Sequence, residues 1–510
     1  MKQFLQKVSS VLKSKRFFWA IIGFFIFESV WIAISAVYPQ AFDEDFHFGL
    51  IKVYSHYWLP FLTHQPANAN QFGAVAVDPS YLYHYLMSFP LRLITLFTKD
   101  QTIQIILLRL INVGLITGGL LLFRKVLQRT KISESLINVC LAIFVLIPIV
   151  PQLGAHINYD NLLFPLIAWV ILLTFNIIDE LKKKQLNVSS LLTLLIVCLL
   201  TSLVKDAFLS IFLGVLLYLT YSIWRTYRHD SHKFFQSLKT SWQNTSKQRK
   251  IILITLLVIA LGMFAQRDLA NVVNYHTIEP NCSAVLSVKQ CSAYSAWFYS
   301  YQNHQTVLVN KSSIRFLNPF FYLGTWLYWM WYRLFFAVNG SASQFTNYPP
   351  LPLPSAAAAV IGIVGVVAVI IYRRKLLHNN PYLTFLFVVC GIYILALLAD
   401  GYAQYHYTNE LVTMNGRYLI PILLLLGAII GSAFSLAFRK LKIKKTLVAA
   451  LVLLLFLQGG GFLTFITRSD ATWDWPNSVV IKVNNAARKI TKPIIIKGSK
   501  TYTTKYWIFN

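Results

Sequence analysis

The sequence predicts an all-α, polytopic membrane protein. Three observations carry that expectation: long apolar runs recur from end to end, basic residues gather in the gaps between them, and charge is scarce. Of 510 residues, 56% are hydrophobic and only 13% charged, with a mean hydropathy of +0.56. Runs of about 17 to 22 residues match a hydrocarbon core of about 30 Å. The net charge of +28 does not mark a nucleic-acid binder. Lys and Arg sit in short clusters between apolar runs, not on a compact basic domain, and that pattern reports membrane orientation.

The elements follow in order. Residues 1–16, with Lys2, Lys7, Lys13, Lys15 and Arg16, form a basic cytoplasmic tail. The run 17–37 is longer than the roughly 7 to 15 residues of a cleaved signal core, so it is expected to remain as an anchor. Glu28 in its middle is costly in lipid and should face other helices. Basic clusters at Arg124 to Lys131, Lys182 to Lys184, Arg225 to Lys250, Arg373 to Lys375 and Arg439 to Lys445 should each stay cytoplasmic. That parity fits about eleven spans: 17–37, 103–123, 135–152, 161–178, 188–204, 207–224, 251–267, 355–372, 381–399, 417–437 and 446–466. The N-terminus is then inside and a tail, 467–510, outside. The basic residues of that tail run against this topology. One transmembrane domain, 17–466, carries outer loops at about 38–102 and 268–354.

Two further apolar stretches, 79–97 and 316–338, should lie in the interface. If 79–97 crossed, the Arg124 cluster would be translocated. "VDPSYLYHYL" reads as a helix start, with Asp78 as N-cap and Pro79 at the first helical position. Cys140, Cys198 and Cys390 fall in spans. Cys282 and Cys291 share the second outer loop, where an oxidising face permits a disulfide; two free thiols are the other reading.

The chemistry concentrates in "AFDEDFHFGLIKVYSH", residues 41–56, just past the first span. Phe46, Leu50, Val53 and Tyr57 are spaced as one face of an amphipathic interfacial helix. Asp43 and Glu44 would stand at its N-terminus, where the helix dipole favours anions, and His47 one turn on. Simple capping or a solvated acidic cluster is one reading. The other is a carboxylate acting as general base, or holding a divalent metal, beside the bilayer.

Asp43, Glu44, His47 and Phe48 form a D-E-x-x-H-F element directly after a signal-anchor helix. In this the chain resembles the GT-C superfamily of membrane glycosyltransferases, closest to an uncharacterised bacterial branch. "LLRLINVGL", "NYDN" and "NGRYLIPILLLL" are similar to family features in the same order, and the resemblance runs from about residue 17 to 437. It implies sugar transfer from a polyprenyl-phosphate donor to a hydroxyl acceptor on the outer face of the plasma membrane. An acid of the first outer loop would deprotonate the acceptor, which could be a cell-envelope glycan, a polymer or a protein. The proline usual before D-E is absent, Ala41 and Phe42 standing there, and the tail has no match.

A lipid-phosphate leaving group needs positive charge nearby. Lys205, in "TSLVKDAFLS", sits in a tight outer turn. It either binds donor phosphate or pairs structurally, Asp206 being adjacent. Arg417, in "MNGRYLIP", opens the tenth span and could hold phosphate in bidentate fashion or anchor to headgroups. Gly416 would permit close backbone approach, and Tyr418 adds a hydroxyl. Asp160, in "HINYDN", either caps the fourth span with Asn161 or joins Asp43 in holding a divalent cation, Mg or Mn. His47, His56, His64 and His84 lack zinc spacing.

No P-loop, G-x-G-x-x-G or G-x-S-x-G motif is present. Rival readings are a flippase or exporter of lipid-linked envelope precursors, a polysaccharide polymerase, and a non-catalytic envelope scaffold. A carrier should show duplicated halves and mid-membrane charge. Glu28 and Arg109 are the ionisable residues well inside the expected spans.

Overall fold

In a computed structural model, residues 2–40, 43–310, 313–336, 352–378, 380–411, 413–438, 442–458, 465–467 and 469–491 are described. Among them the regular structure is all helical, with one isolated β-bridge. Eight of the described helices are long and apolar enough to cross a membrane: Lys15–Ser35, Gln101–Arg129, Asp160–Lys182, Phe208–Tyr227, Lys247–Tyr275, Ala356–His378, Pro381–Thr408 and Gly416–Ala437. Three shorter apolar helices, Glu134–Val145, Val188–Ser202 and Thr446–Leu457, fall where further spans are expected. Each expected span therefore has a helix at its place. A helix is the natural solution because it satisfies its backbone internally where no water is available.

The elements that position the site are α1 (Lys2–Lys13), α2 (Lys15–Ser35), α3 (Glu44–Tyr54), α4 (Leu82–Phe97), α5 (Gln101–Arg129), α6 (Glu134–Val145), α7 (Ile149–Gly154), α8 (Asp160–Lys182), α9 (Val188–Ser202) and α10 (Phe208–Tyr227). Polar side chains start several of them. Ser14 Oγ accepts from the Phe17 amide at the start of α2, and Asp100 Oδ1 from the Thr102 amide at the start of α5. Such caps satisfy amides that the first turn leaves unpaired. Helices α5 and α8 pack closely at Gly119, where a Cβ would come within 2.3 Å of the Phe164 ring. Glu28 is fully buried within the bundle, as expected of a carboxyl in a span.

Two local expectations are corrected. Helix α4 begins at Leu82, not at Pro79, and Asp78 instead accepts from the Ser80 amide at 2.8 Å, making a turn ahead of the helix. Of the stripe Phe46, Leu50, Val53 and Tyr57, helix α3 fully buries Leu50 alone; Phe46 and Val53 are partly buried, and Tyr57 lies past its end and is exposed. Its buried set is Glu44, His47, Phe48, Gly49, Leu50, Ile51 and Tyr54, and it packs against α4. An interfacial helix needs one apolar face. This one is enclosed by protein, so polar residues face inward to polar partners.

Candidate functional site

The loop ends of the helices enclose a large polar cavity of about 1270 Å³. Asp43, His47, Asp78, Lys205, Asp400 and Tyr418 are among its lining residues. The full lining comes from both expected outer loops, from the α9–α10 turn, from the last turns of the helix Pro381–Thr408 and from the short turn Gly416–Leu419. Lys182 and Arg225 lie in the last turns of α8 and α10, whose first turns adjoin the cavity at Tyr159 and Ala207.

Asp43 occupies the residue before α3, with a left-handed backbone (φ 65°, ψ 32°) and a carboxyl that caps nothing. That conformation is uncommon for a non-glycine residue and is tolerated best by Asp and Asn. Its side chain is 61% exposed to the cavity, and Oδ2 accepts from Arg417 Nη2 at 3.0 Å. Its neighbour Glu44 turns the other way. Fully buried, Glu44 forms a two-pronged pair with Arg109, Nε to Oε1 at 2.7 Å and Nη2 to Oε2 at 2.6 Å. The amides of Gln40 and Ile157 also donate to it, at 2.8 and 3.3 Å. Burial opposes ionisation of Glu44, but Arg109 outweighs it and holds the carboxyl below its ordinary range. Arg109 in turn donates to the carbonyls of Ala33, Ala36 and Val37, so this pair ties the end of α2 to the start of α3.

His47 hydrogen-bonds His84, Nδ1 to Nε2 at 2.9 Å, and sets its ring edge against Tyr159 with centroids 4.5 Å apart. Both imidazoles are buried. Burial, then the charges of His84, Arg417 and Lys205, pushes His47 well below its ordinary value. Burial pushes His84 down to about 3. Both shifts favour the neutral imidazoles.

Lys205 has neither a free ammonium nor Asp206 as its partner. It reaches Asp160 at 2.7 Å, both side chains almost fully buried, and lies over the rings of Tyr159 and Tyr418 at 4.5 and 5.1 Å. Asp160 is the first residue of α8 and caps nothing there; Asn161 Nδ2 donates to Asn112 Oδ1 and to the carbonyls of Leu153 and His156. Capping is thus not what either residue does. Gly416 is required where it stands: a Cβ would sit 2.3 Å from the Leu334 amide nitrogen, so the short turn Gly416–Leu419 presses against the helix Pro319–Phe336. That contact fixes the origin of the Arg417 side chain.

Asp43 and Asp160 are the carboxylates expected to hold a divalent cation. Each is matched to a basic side chain, and no three of His, Cys, Asp and Glu converge as a ligand set among the described residues. The donor set does not fit a resident Mg or Mn held by these two acids. Cys282 and Cys291 are joined in a disulfide, with Cα atoms 5.9 Å apart.

Sequence reasoning read Asp78 as a cap and Asp206 as the neighbour of Lys205, and did not join them with Glu279 and Asp400 as a second wall of the cavity. Asp78, Asp206, Glu279 and Asp400 line it with Tyr294 and Trp297. Asp206 foremost, then burial, Asp78 and Asp400, pushes Glu279 up to about 8. These acids are scattered along the chain, and no spacing links them. Arg109 carried a usable signal, being an arginine inside an apolar run with no local partner.

The chain is therefore an all-α, multi-pass membrane protein whose helix ends build a polar cavity. No known protein family matches the chain, and no curated protein does. Among solved structures it is similar to the archaeal oligosaccharyltransferase AglB from Archaeoglobus fulgidus, in complex with an inhibitory peptide and a dolichol-phosphate, at 10% identity and a TM-score of 0.44. The match covers 96% of this chain and 61% of that one, so this chain spans about three fifths of that protein's length.

Proposed function

We propose that this protein is a GT-C-type glycosyltransferase that moves a sugar from a polyprenyl-phosphate donor to a hydroxyl acceptor at the outer face of the plasma membrane. One observation carries the reading: an exposed carboxylate, Asp43, meets Arg417 at 3.0 Å on a cavity that Lys205 also lines. A base, a cation paired with it and a second cation nearby are what displacement of a lipid phosphate requires.

In the reaction, Asp43 takes the proton of the acceptor hydroxyl as its oxygen attacks the anomeric carbon. The bond from that carbon to the phosphate oxygen breaks, and the lipid phosphate leaves with the electron pair. Arg417 donates to Asp43 from Nη2, and its charge stands beside the departing phosphate. Lys205 adds charge from beside Tyr159 and Tyr418. Glu44 and His47 act as positioning residues: Glu44 locks the loop through Arg109, and His47 supports the floor through His84. A single displacement inverts the anomeric centre.

The test is mass spectrometry of envelope glycans from a deletion strain carrying wild type or Asp43→Asn at equal membrane abundance. A sugar lost on deletion and restored only by wild type is expected. Full restoration by the Asn variant overturns the base, and favours a carrier or scaffold.

A further inference from the structure

The segment after the last apolar helix, residues 469–491, returns to the first span. Its backbone joins the end of α2 as a short bridge. The Val37 amide donates to the Trp473 carbonyl at 2.8 Å, and the Trp475 amide donates to the Ser35 carbonyl at 2.9 Å, around the antiparallel pair Ala36 and Asp474. Ala36 and Val37 are also residues whose carbonyls receive Arg109. The Trp475 ring lies 5.4 Å from the Arg109 guanidinium carbon, covering the Arg109–Glu44 pair.

The segment holds itself in this shape. The buried carboxyl of Asp474 accepts from Arg488 through both oxygens, at 2.7 and 2.8 Å, and from Asn484 at 2.6 Å. Asn484 in turn accepts from the Trp31 indole of α2 at 2.9 Å. Arg488 belongs to the amphipathic helix Ser478–Thr491. A two-pronged arginine–carboxylate pair is geometrically strict, so the helix and the bridge move as one unit.

We infer that residues 469–491 form a positioning strap for Asp43, acting through Trp475 on Arg109 and through Arg109 on Glu44. The inference rests on the reading of Asp43 as the base. The strap grips the backbone shortly before the base and covers the ion pair immediately after it, yet none of its residues lines the cavity. It sets where Asp43 stands; Asp43 does the chemistry. A misplacement of about 1 Å at a reacting group can cost about 100-fold in rate, so holding this loop at both ends bears directly on turnover.

The experiment uses the full chain in membranes of the deletion strain, with a Gln40→Cys reporter. Gln40 is buried behind Glu44, and the native cysteines are either in helices or disulfide-bonded. A membrane-impermeant maleimide is the probe, and a strain without the reporter supplies the background. Trp475→Ala is expected to raise the labelling rate of the Gln40→Cys reporter about tenfold or more and to lower glycan transfer per molecule by about 10- to 100-fold. Trp475→Phe, which keeps a ring over Arg109, should restore both. Asp474→Asn should behave like Trp475→Ala, because it weakens the Arg488 pair.

If Trp475→Ala lowers only the amount of protein, with labelling and transfer per molecule unchanged, the strap is a structural tail and the inference falls. If labelling rises but transfer per molecule holds, positioning is likewise overturned. These results are separate from a failure of the base. That would show as full transfer by Asp43→Asn in an otherwise unaltered chain, while the labelling response to Trp475→Ala persisted.

Discussion

Asp43 and Glu44 are adjacent in sequence and opposite in surroundings. One faces an open cavity beside Arg417; the other is buried against Arg109. Removing the charge should therefore have opposite signatures. Asp43→Asn keeps an acceptor oxygen for the buried Arg417 and is expected to cost about 1–2 kcal/mol of thermal stability, while transfer falls by about 100-fold or more. Glu44→Ala strands a buried guanidinium and should cost about 3–5 kcal/mol, read as lower membrane abundance and a lower Tm in detergent. Equal loss of Tm in both variants would contradict this division. Glu279 supplies a pH signature. Its carboxyl is raised, so the folded protein holds a proton that the unfolded chain releases near its ordinary value. Stability on this account falls as pH rises from about 4.5 to about 8, where the contribution is fully lost. Glu279→Gln should flatten the Tm profile across that window. At this scale the sequence exposed Asp43, Lys205 and Arg417 as notable residues, because charge beside a bilayer is conspicuous. It could not reveal their pairing: Asp43 meets Arg417 and Lys205 meets Asp160 only through the fold.

At the scale of elements, helix positions were legible because apolar length and basic flanks report them directly. Helix starts were less so. Asp78 and Pro79 carry the composition of a helix start, yet α4 begins at Leu82, since Asp78 satisfies the Ser80 amide in a turn. Helix α3 departs from its pattern for a different reason: periodicity finds an apolar face, but the buried face includes Glu44 and His47, which have polar partners. Gly416 gives the sharpest test here. Gly416→Ala places a Cβ against the Leu334 backbone, whereas Gly391 has nothing within 4 Å of the added atom. The first change should lower Tm and transfer together, by about 1–3 kcal/mol in stability; Gly391→Ala should change neither. Thermal-shift fluorescence on the two purified variants distinguishes them.

For the whole molecule, the cavity adjoins the first turns of α8 and α10 while Lys182 and Arg225 lie in their last turns, which makes orientation testable. Ala67 lines the cavity, and Lys375 lies in the last turn of the apolar helix Pro352–His378, at its basic end. An impermeant maleimide should label Ala67→Cys in intact cells and Lys375→Cys only after lysis. Labelling of Lys375→Cys in intact cells would invert the topology and remove the cavity from the outer face. The part of the tail beyond residue 491 lies outside the described residues, so the expected tail domain 467–510 is traced only through the strap.

The pair between Asp43 and Arg417 joins residues 374 positions apart. During synthesis the proposed base leaves the ribosome 374 residues ahead of its cation, and Trp475 comes later still. Between those points a growing chain carries the proposed centre unassembled. On the proposed reading, products that end before Arg417 carry the base without its cation. On that reading chain order is itself a form of quality control: transfer begins only after the late membrane helices have closed on the first.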